Sequence, residues 1–309
     1  MYPLKLKSVL KDIIWGGTQL SEKYGKGEKN QKIAEAWVLS CREDGENIID
    51  NGPLAGKPLS ELYPDKDNFP LLIKLIDACD KLSVQVHPDD EYANKEGLPA
   101  GKTEMWYILD AKEGAKLVYG MNKDITLDDE AIKNAAADGT LEQYLNYVEV
   151  KKGDVFFIPA GLVHAIGEGI LIAEVQQNSN TTYRMYDYDR KDKNGNKREL
   201  HIEKAVQVID KTLPHGDNKV IVEESSNGVE LSLISKCDYF TVKVLKLEKA
   251  TYSIECEKML FALCLEGEGD YVYNGTSYSF TKGESYLFPE GIGKFDVLSD
   301  KCELLIATE

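Results

Sequence analysis

The segment Gly153-Asp154-Val155-Phe156-Phe157-Ile158-Pro159-Ala160-Gly161-Leu162-Val163-His164 has the spacing G-x5-P-x-G-x2-H, which delivers a histidine just beyond a tight turn between two strands. Upstream, Val84-Gln85-Val86-His87-Pro88 supplies a second histidine, and Gln85 and His87, two apart, leave the same face of a strand. Glu104, in Lys102-Thr103-Glu104-Met105-Trp106-Tyr107, adds a carboxylate at the head of another apolar run. Two imidazole nitrogens, one carboxylate oxygen and one amide oxygen suit a divalent cation. The chain has only four histidines, so the choice is narrow. His201 precedes the helical pattern Ile202 to Ile209 and His215 lies in the linker-like turn Leu213-Pro214-His215-Gly216, which marks both as structural or solvated.

Such a set must be held by strands. From residue 84 onward short apolar runs dominate, among them Leu117-Val118-Tyr119, Val148-Glu149-Val150, Val155 to Ile158 and Ile170 to Val175, with Gly and Pro between them, the pattern of a sandwich or barrel. Helical patterns are confined to Pro70 to Asp80, to Leu127 through Leu145 with a break at Gly139, and to Glu203 to Lys211. Asn194-Gly195 within Asp192 to Asn196 suits a type I′ hairpin.

An internal repeat organises the rest. Gly283-Glu284-Ser285-Tyr286-Leu287-Phe288-Pro289-Glu290-Gly291-Ile292-Gly293-Lys294 has the same G-x5-P-x-G frame, with lysine where His164 stands. Leu265-Glu266-Gly267-Glu268-Gly269 resembles the turn Ala111-Lys112-Glu113-Gly114. The arrangement implies a mainly β chain of two related barrels. The first (1–218) carries the metal and a small helical insertion at about 122–147; the second (219–309) is degenerate and lacks ligands. The Pro/Gly/Asp/Asn cluster at 214–218 is the boundary.

Composition narrows the function. With 309 residues, 53 acidic and 37 basic side chains and a net charge of -16, the chain disfavours nucleic acid and anionic membrane surfaces as partners. An anionic small substrate stays open where lysines and arginines gather locally. No apolar run approaches a membrane span and the first residues lack the apolar core of a signal peptide, so a cytoplasmic protein is expected. The six cysteines contain no C-x-x-C pair, against a zinc ribbon or dithiol redox centre. Gly97 to Thr103 is one residue short of a P-loop and lacks its strand–loop–helix setting.

The G-x5-P-x-G-x2-H frame resembles the second cupin motif. Together with Leu82 to Asp90, Gly101 to Tyr107 and Glu174-Val175-Gln176-Gln177-Asn178-Ser179-Asn180-Thr181-Thr182-Tyr183-Arg184, it resembles the type I mannose-6-phosphate isomerases in their short bacterial form, across most of the chain from Trp15-Gly16-Gly17 onward. The resemblance implies two cupin jelly-roll domains and a single zinc per chain on Gln85, His87, Glu104 and His164. It implies reversible conversion of mannose 6-phosphate to fructose 6-phosphate, with Arg184 catalytic and Lys102, Lys74 and Ser83 around the substrate and its phosphate, in a monomer or homodimer. Ala36 and Val38 depart from the serine and glutamate usual around Trp37, outside the metal set.

Aldose–ketose isomerisation moves a proton between two carbons through a cis-enediol, with no net redox change. Glu174, Lys102 and a metal-bound water are the acid–base candidates, and Arg184 suits developing negative charge. The residues also admit an iron-dependent cupin oxygenase, because two histidines and a carboxylate form a facial triad, though Gln85 as a fourth ligand weighs against it. A non-catalytic sugar-phosphate sensor is the other alternative, and the intact set Lys102, Glu174 and Arg184 argues against it.

Overall fold

The computed structural model describes residues 1–125, 127–191, 194–213 and 220–309. In chain order they form β1 (Leu4–Lys7), β2 (Val9–Lys11), α1 (Gln19–Lys23), β3 (Glu35–Leu39), the hairpin β4 (Cys41–Arg42) and β5 (Gly45–Glu46), β6 (Ile48–Ile49), β7 (Leu71–Ala78), β8 (Val84–Val86) and α2 (Asp90–Glu96). There follow β9 (Glu104–Ala111), β10 (Lys116–Met121), α3 (Asp129–Asp138), β11 (Leu145–Glu149), β12 (Val155–Ile158), β13 (His164–Ala165), β14 (Ile170–Gln177), β15 (Tyr183–Tyr186) and α4 (Ile202–Val208). The remainder is β16 (Ile221–Ser226), β17 (Val229–Lys236), β18 (Thr241–Cys256), β19 (Leu260–Tyr273), β20 (Thr276–Thr281), β21 (Ser285–Phe288) and β22 (Gly293–Thr308).

Two sheets make the first barrel, a six-stranded one in the order β12-β9-β14-β7-β3-β2 and a five-stranded one in the order β11-β10-β13-β8-β15. The six-stranded sheet is apolar on both faces. Along β7, Leu71, Ile73 and Leu75 join one core cluster while Ile76 and Ala78 join another. β14 and β9 divide in the same way, with Leu171, Ala173, Val175, Met105 and Tyr107 on the first side and Ile172, Trp106 and Ile108 on the second. This corrects the helix expected over Pro70 to Asp80: a strand covered on both faces reads as a continuous apolar run, which periodicity cannot tell from a buried helix.

What covers the outward face is the second barrel. Phe240, Val242, Phe261, Leu263, Leu287 and Leu305 pack into the same cluster as Leu71, Ile73 and Leu75 of β7. The contact is sheet against sheet, and it buries aliphatic and aromatic side chains from both barrels. The exchange goes further at the N-terminus. β1 pairs antiparallel with β21, Leu4 opposite Leu287, and β6 pairs with β1, so both lie in the sheet of the second barrel in the order β16-β17-β18-β22-β19-β21-β1-β6.

The helical insertion lies on the five-stranded sheet. α3 starts at the N-cap Asp128, which accepts from the Ala131 amide at 2.8 Å, and ends at Gly139 with φ +80°, so the expected break falls at its C-cap. Ile132, Ala135 and Ala136 pack with Val84, Val86, Val118 and Met185. α4 overlaps the helix expected at Glu203 to Lys211, starting one residue earlier and ending at Val208. The expected turn at Leu265 to Gly269 is instead part of the continuous strand β19, whose register shifts between Cys264 and Glu266 and again between Glu268 and Asp270. Glycine serves a bulge there, not a turn. The Asn194-Gly195 turn is bracketed by an antiparallel bridge between Lys191 and Lys197; Asp192 and Lys193, like His215 and the 214–218 boundary, lie outside the described residues. Among the described residues no helix is long and apolar enough to cross a membrane.

Candidate metal centre and active site

Two cross-strand rows meet between the sheets of the first barrel. On the five-stranded sheet Tyr119 stands opposite His164, His164 opposite Gln85, and Gln85 opposite Arg184. On the six-stranded sheet Trp37 stands opposite Lys74, Lys74 opposite Glu174, and Glu174 opposite Trp106. Residues directly opposite on an antiparallel pair share a face, so each row brings distant sequence positions into contact. Glu104 lies two residues from Trp106 on β9 and faces the same way.

The turn that delivers His164 depends on Gly161, whose φ of +87° suits glycine. Its amide donates to the His87 carbonyl at 2.9 Å, which ties the two histidine segments together. His87 Nε2 and His164 Nε2 lie 3.1 Å apart. Each ring has its Nδ1 on a backbone carbonyl, Thr181 O at 2.9 Å for His87 and Leu162 O at 2.8 Å for His164. A carbonyl can only accept, so both Nδ1 atoms carry the proton and both Nε2 atoms turn a lone pair inward. Glu104 adds its carboxylate, with Oε2 3.5 Å from His87 Nε2 and Oε1 3.6 Å from His164 Nε2. The three donors lie within 4.8 Å of one another and are buried. Two facing lone pairs beside a carboxylate fit a divalent cation. The Gln85 side-chain amide is 3.4 Å from His164 Nε2, at the edge of the cluster.

Burial governs the charges. It holds the His87 imidazole well below its ordinary range, with Lys102 and His164 adding to the effect, and brings His164 down to about 3. Glu104 is pushed up to about 7, first by burial and then by the charge of Glu174, against the pull of Lys102. Glu174 goes the other way. Burial opposes its ionisation, but Lys74 and Lys102 outweigh it and bring the carboxyl down to about 2.

The remaining expected residues fall into three places. Lys102 belongs to the cluster itself, with Nζ 2.7 Å from Glu104 Oε2 and 3.0 Å from His87 Nε2. Lys74 does not reach an open surface: it is 4% exposed, 3.0 Å from Glu174 Oε1 and 4.0 Å from Glu35 Oε2. Arg184 donates from Nε to Ser83 Oγ at 3.3 Å and from Nη1 to the Glu199 carbonyl at 2.8 Å. Asp187 holds Arg190 and Arg198 nearby, both at 2.5 Å, so basic groups gather here despite the acidic chain. His201 is a brace, as expected: its Nδ1 accepts from the Arg184 amide at 3.2 Å.

Trp106 is the residue that sequence reasoning passed over. Its Nε1 donates to Glu104 Oε1 at 3.0 Å and to Glu174 Oε2 at 3.1 Å, bridging the two carboxylates. Its place two residues after Glu104 was the available signal.

A cupin barrel with an interior His/His/Glu cluster, packed on a second barrel without one among its described residues, defines the class. Residues 3–115 match the family model "Phosphomannose isomerase type I, catalytic domain", and residues 230–308 match "Mannose-6-phosphate isomerase, cupin domain". The chain is 40% identical to mannose-6-phosphate isomerase ManA of Bacillus subtilis, with 95% of each chain covered. It is 36% identical to the mannose-6-phosphate isomerase of Streptococcus mutans over 94% of this chain and 93% of that one. The crystal structure of the mannose 6-phosphate isomerase from Bacillus subtilis superposes over the whole of both chains with a TM-score of 0.91 at 32% identity. The chain belongs to the type I mannose-6-phosphate isomerase family.

Proposed function

We propose that this chain interconverts mannose 6-phosphate and fructose 6-phosphate, using one zinc ion on Gln85, His87, Glu104 and His164. The observation that carries the reading is the pair of inward Nε2 lone pairs beside Glu104. When bound, zinc supplies Lewis-acid polarisation of the sugar's oxygens. The isomerisation itself would move a proton between neighbouring carbons through a cis-enediol, with no net redox change.

The chain's own residues divide the rest. Lys102, at the donor cluster, is placed to hold or move a proton at the reacting oxygens. Both oxygens of Glu174 are engaged, one by Lys74 and one by Trp106, and its low pKa keeps it anionic at neutral pH. We therefore assign Glu174 a standing negative charge that orients its neighbours, and Lys74 the role of its counter-ion, not a phosphate ligand. Arg184 and Ser83 form the anion-binding pair, with a planar guanidinium that suits phosphate or enediolate oxygens.

The test is mannose 6-phosphate turnover before and after chelation, with zinc restored to the stripped protein. Loss on stripping and recovery with zinc is expected. Full turnover in protein shown to be metal-free would sink the zinc reading, and failure of metal-replete folded protein to isomerise the sugar would sink the reaction.

A further inference from the structure

Asp90, the first residue of α2, holds the loop that carries Lys102. Its Oδ1 accepts from the Gly101 amide at 2.7 Å and from the Gln177 side-chain amide at 3.0 Å. Gln177 in turn accepts the Thr103 amide on Oε1 at 2.8 Å, and the Lys102 amide donates to the Pro88 carbonyl at 2.9 Å. The amides of Gly101, Lys102 and Thr103 thus end on Asp90, Pro88 and Gln177. The loop is pressed against the start of α2, because a Cβ at Gly101 would lie 2.5 Å from the Asp89 carbonyl carbon and 2.6 Å from the Asp90 nitrogen. Such contacts leave room only for glycine.

The other oxygen of Asp90 points to the second barrel. Tyr239, in the turn between β17 and β18, donates its hydroxyl to Asp90 Oδ2 at 2.7 Å. Burial opposes charge on Asp90, yet the bonds from Gly101, Tyr239 and Gln177 hold its carboxyl below the ordinary range.

The geometry points to Tyr239 as a positioning residue through which the second barrel, by way of Asp90, fixes the Lys102 loop of the first. Its catalytic consequence rests on the isomerase reading; its structural consequence does not. The second barrel then does more than cover apolar surface, since it sets how Lys102 is presented to His87 and Glu104.

Tyr239→Phe removes one hydroxyl and keeps the ring against the inter-barrel core. In the full-length, zinc-replete protein, hydrogen exchange at the amides of residues 101–103 is expected to speed up about tenfold, with β7 unchanged. Turnover of mannose 6-phosphate should fall about three- to tenfold in kcat, with KM within about twofold of the parent. Asp90→Asn, which weakens the same hub from the other side, should speed exchange at the same amides. Unchanged exchange in Tyr239→Phe overturns the coupling, whatever Asp90→Asn does, and faster exchange with unchanged kcat overturns its role in catalysis. If the parent itself does not isomerise mannose 6-phosphate, the isomerase reading falls while the exchange result still decides the coupling.

Discussion

The two barrels share a backbone frame but not an interior. Gly153 and Gly283 donate to Ile108 O and Cys264 O, both at 2.8 Å, and Leu162 and Ile292 donate to Pro159 O and Pro289 O, both at 3.2 Å. Gly161 donates to His87 O where Gly291 donates to Glu257 O. Strand registers extend the match: Ile158 opposite Glu104 corresponds to Phe288 opposite Leu260, and Glu174 opposite Trp106 to Ile306 opposite Ala262. So, by position in the frame, Glu257 stands for His87, Leu260 for Glu104, Lys294 for His164 and Ile306 for Glu174. The donors of one sheet have become exposed charges and those of the other aliphatic core. Phe288 and Phe295 stack at 4.0 Å, and Tyr271 meets both edge-on, so aromatic rings fill the second interior. The frame therefore specifies the fold, and a separate layer of interior residues specifies the chemistry.

Removing the second barrel tests the frame most severely. A chain ending near residue 218 loses the cover over Leu71, Ile73 and Leu75 and the partner strand of β1, so insoluble protein is expected in place of a folded barrel. Soluble, monomeric, cooperatively melting protein would show that the first barrel stands alone. Next comes the chemical layer. Glu104→Leu, which copies Leu260, should abolish bound metal by elemental analysis and cut kcat/KM by more than about 100-fold.

The ion pair at the floor of the site separates stability from chemistry. Lys74→Met leaves the Glu174 carboxylate buried without its cation and should cost about 3–5 kcal/mol in urea unfolding. Lys74→Met with Glu174→Ile, copying Ile306, replaces the pair by apolar groups and should recover most of that loss without recovering turnover. A double variant as unstable as the single one would break the argument. The pH dependence has a definite sign. The folded-state pKa of Glu174 is depressed to about 2, so its contribution is present above the ordinary glutamate pKa of about 4.5 and fades as the pH falls toward 2. The stability gap between the parent and Glu174→Ile in acid should narrow across that window.

Much of this was legible because ligand chemistry is local. Gln85 and His87 follow strand period, and the glycines of the G-x5-P-x-G frame take positive φ in both copies, +92° and +87° at Gly153 and Gly161, +87° and +67° at Gly283 and Gly291. What stayed hidden depends on partners far along the chain. Lys74 sits in a run apolar on both faces, which reads as helix, and its partner Glu174 becomes visible only through cross-strand register. β1 joins the second barrel through pairs nearly the length of the chain apart, Leu4 with Leu287, and β6 follows by pairing with β1. Trp106 bridges two carboxylates that no short window contains.

The smallest expected effect is the most specific test of the layered reading. Lys294→His restores a histidine at the position that matches His164, at the start of β22 opposite Glu255. Lys294 is exposed, as are Glu255 and Glu257, while Leu260 is buried and offers no donor. One imidazole in water cannot gather a cation against this background, because a zinc site needs three or four converging donors. Stability within about 0.5 kcal/mol of the parent and no second equivalent of zinc in the purified variant are expected. A second tightly held equivalent would show that the frame alone, with a single histidine, is enough to rebuild the site.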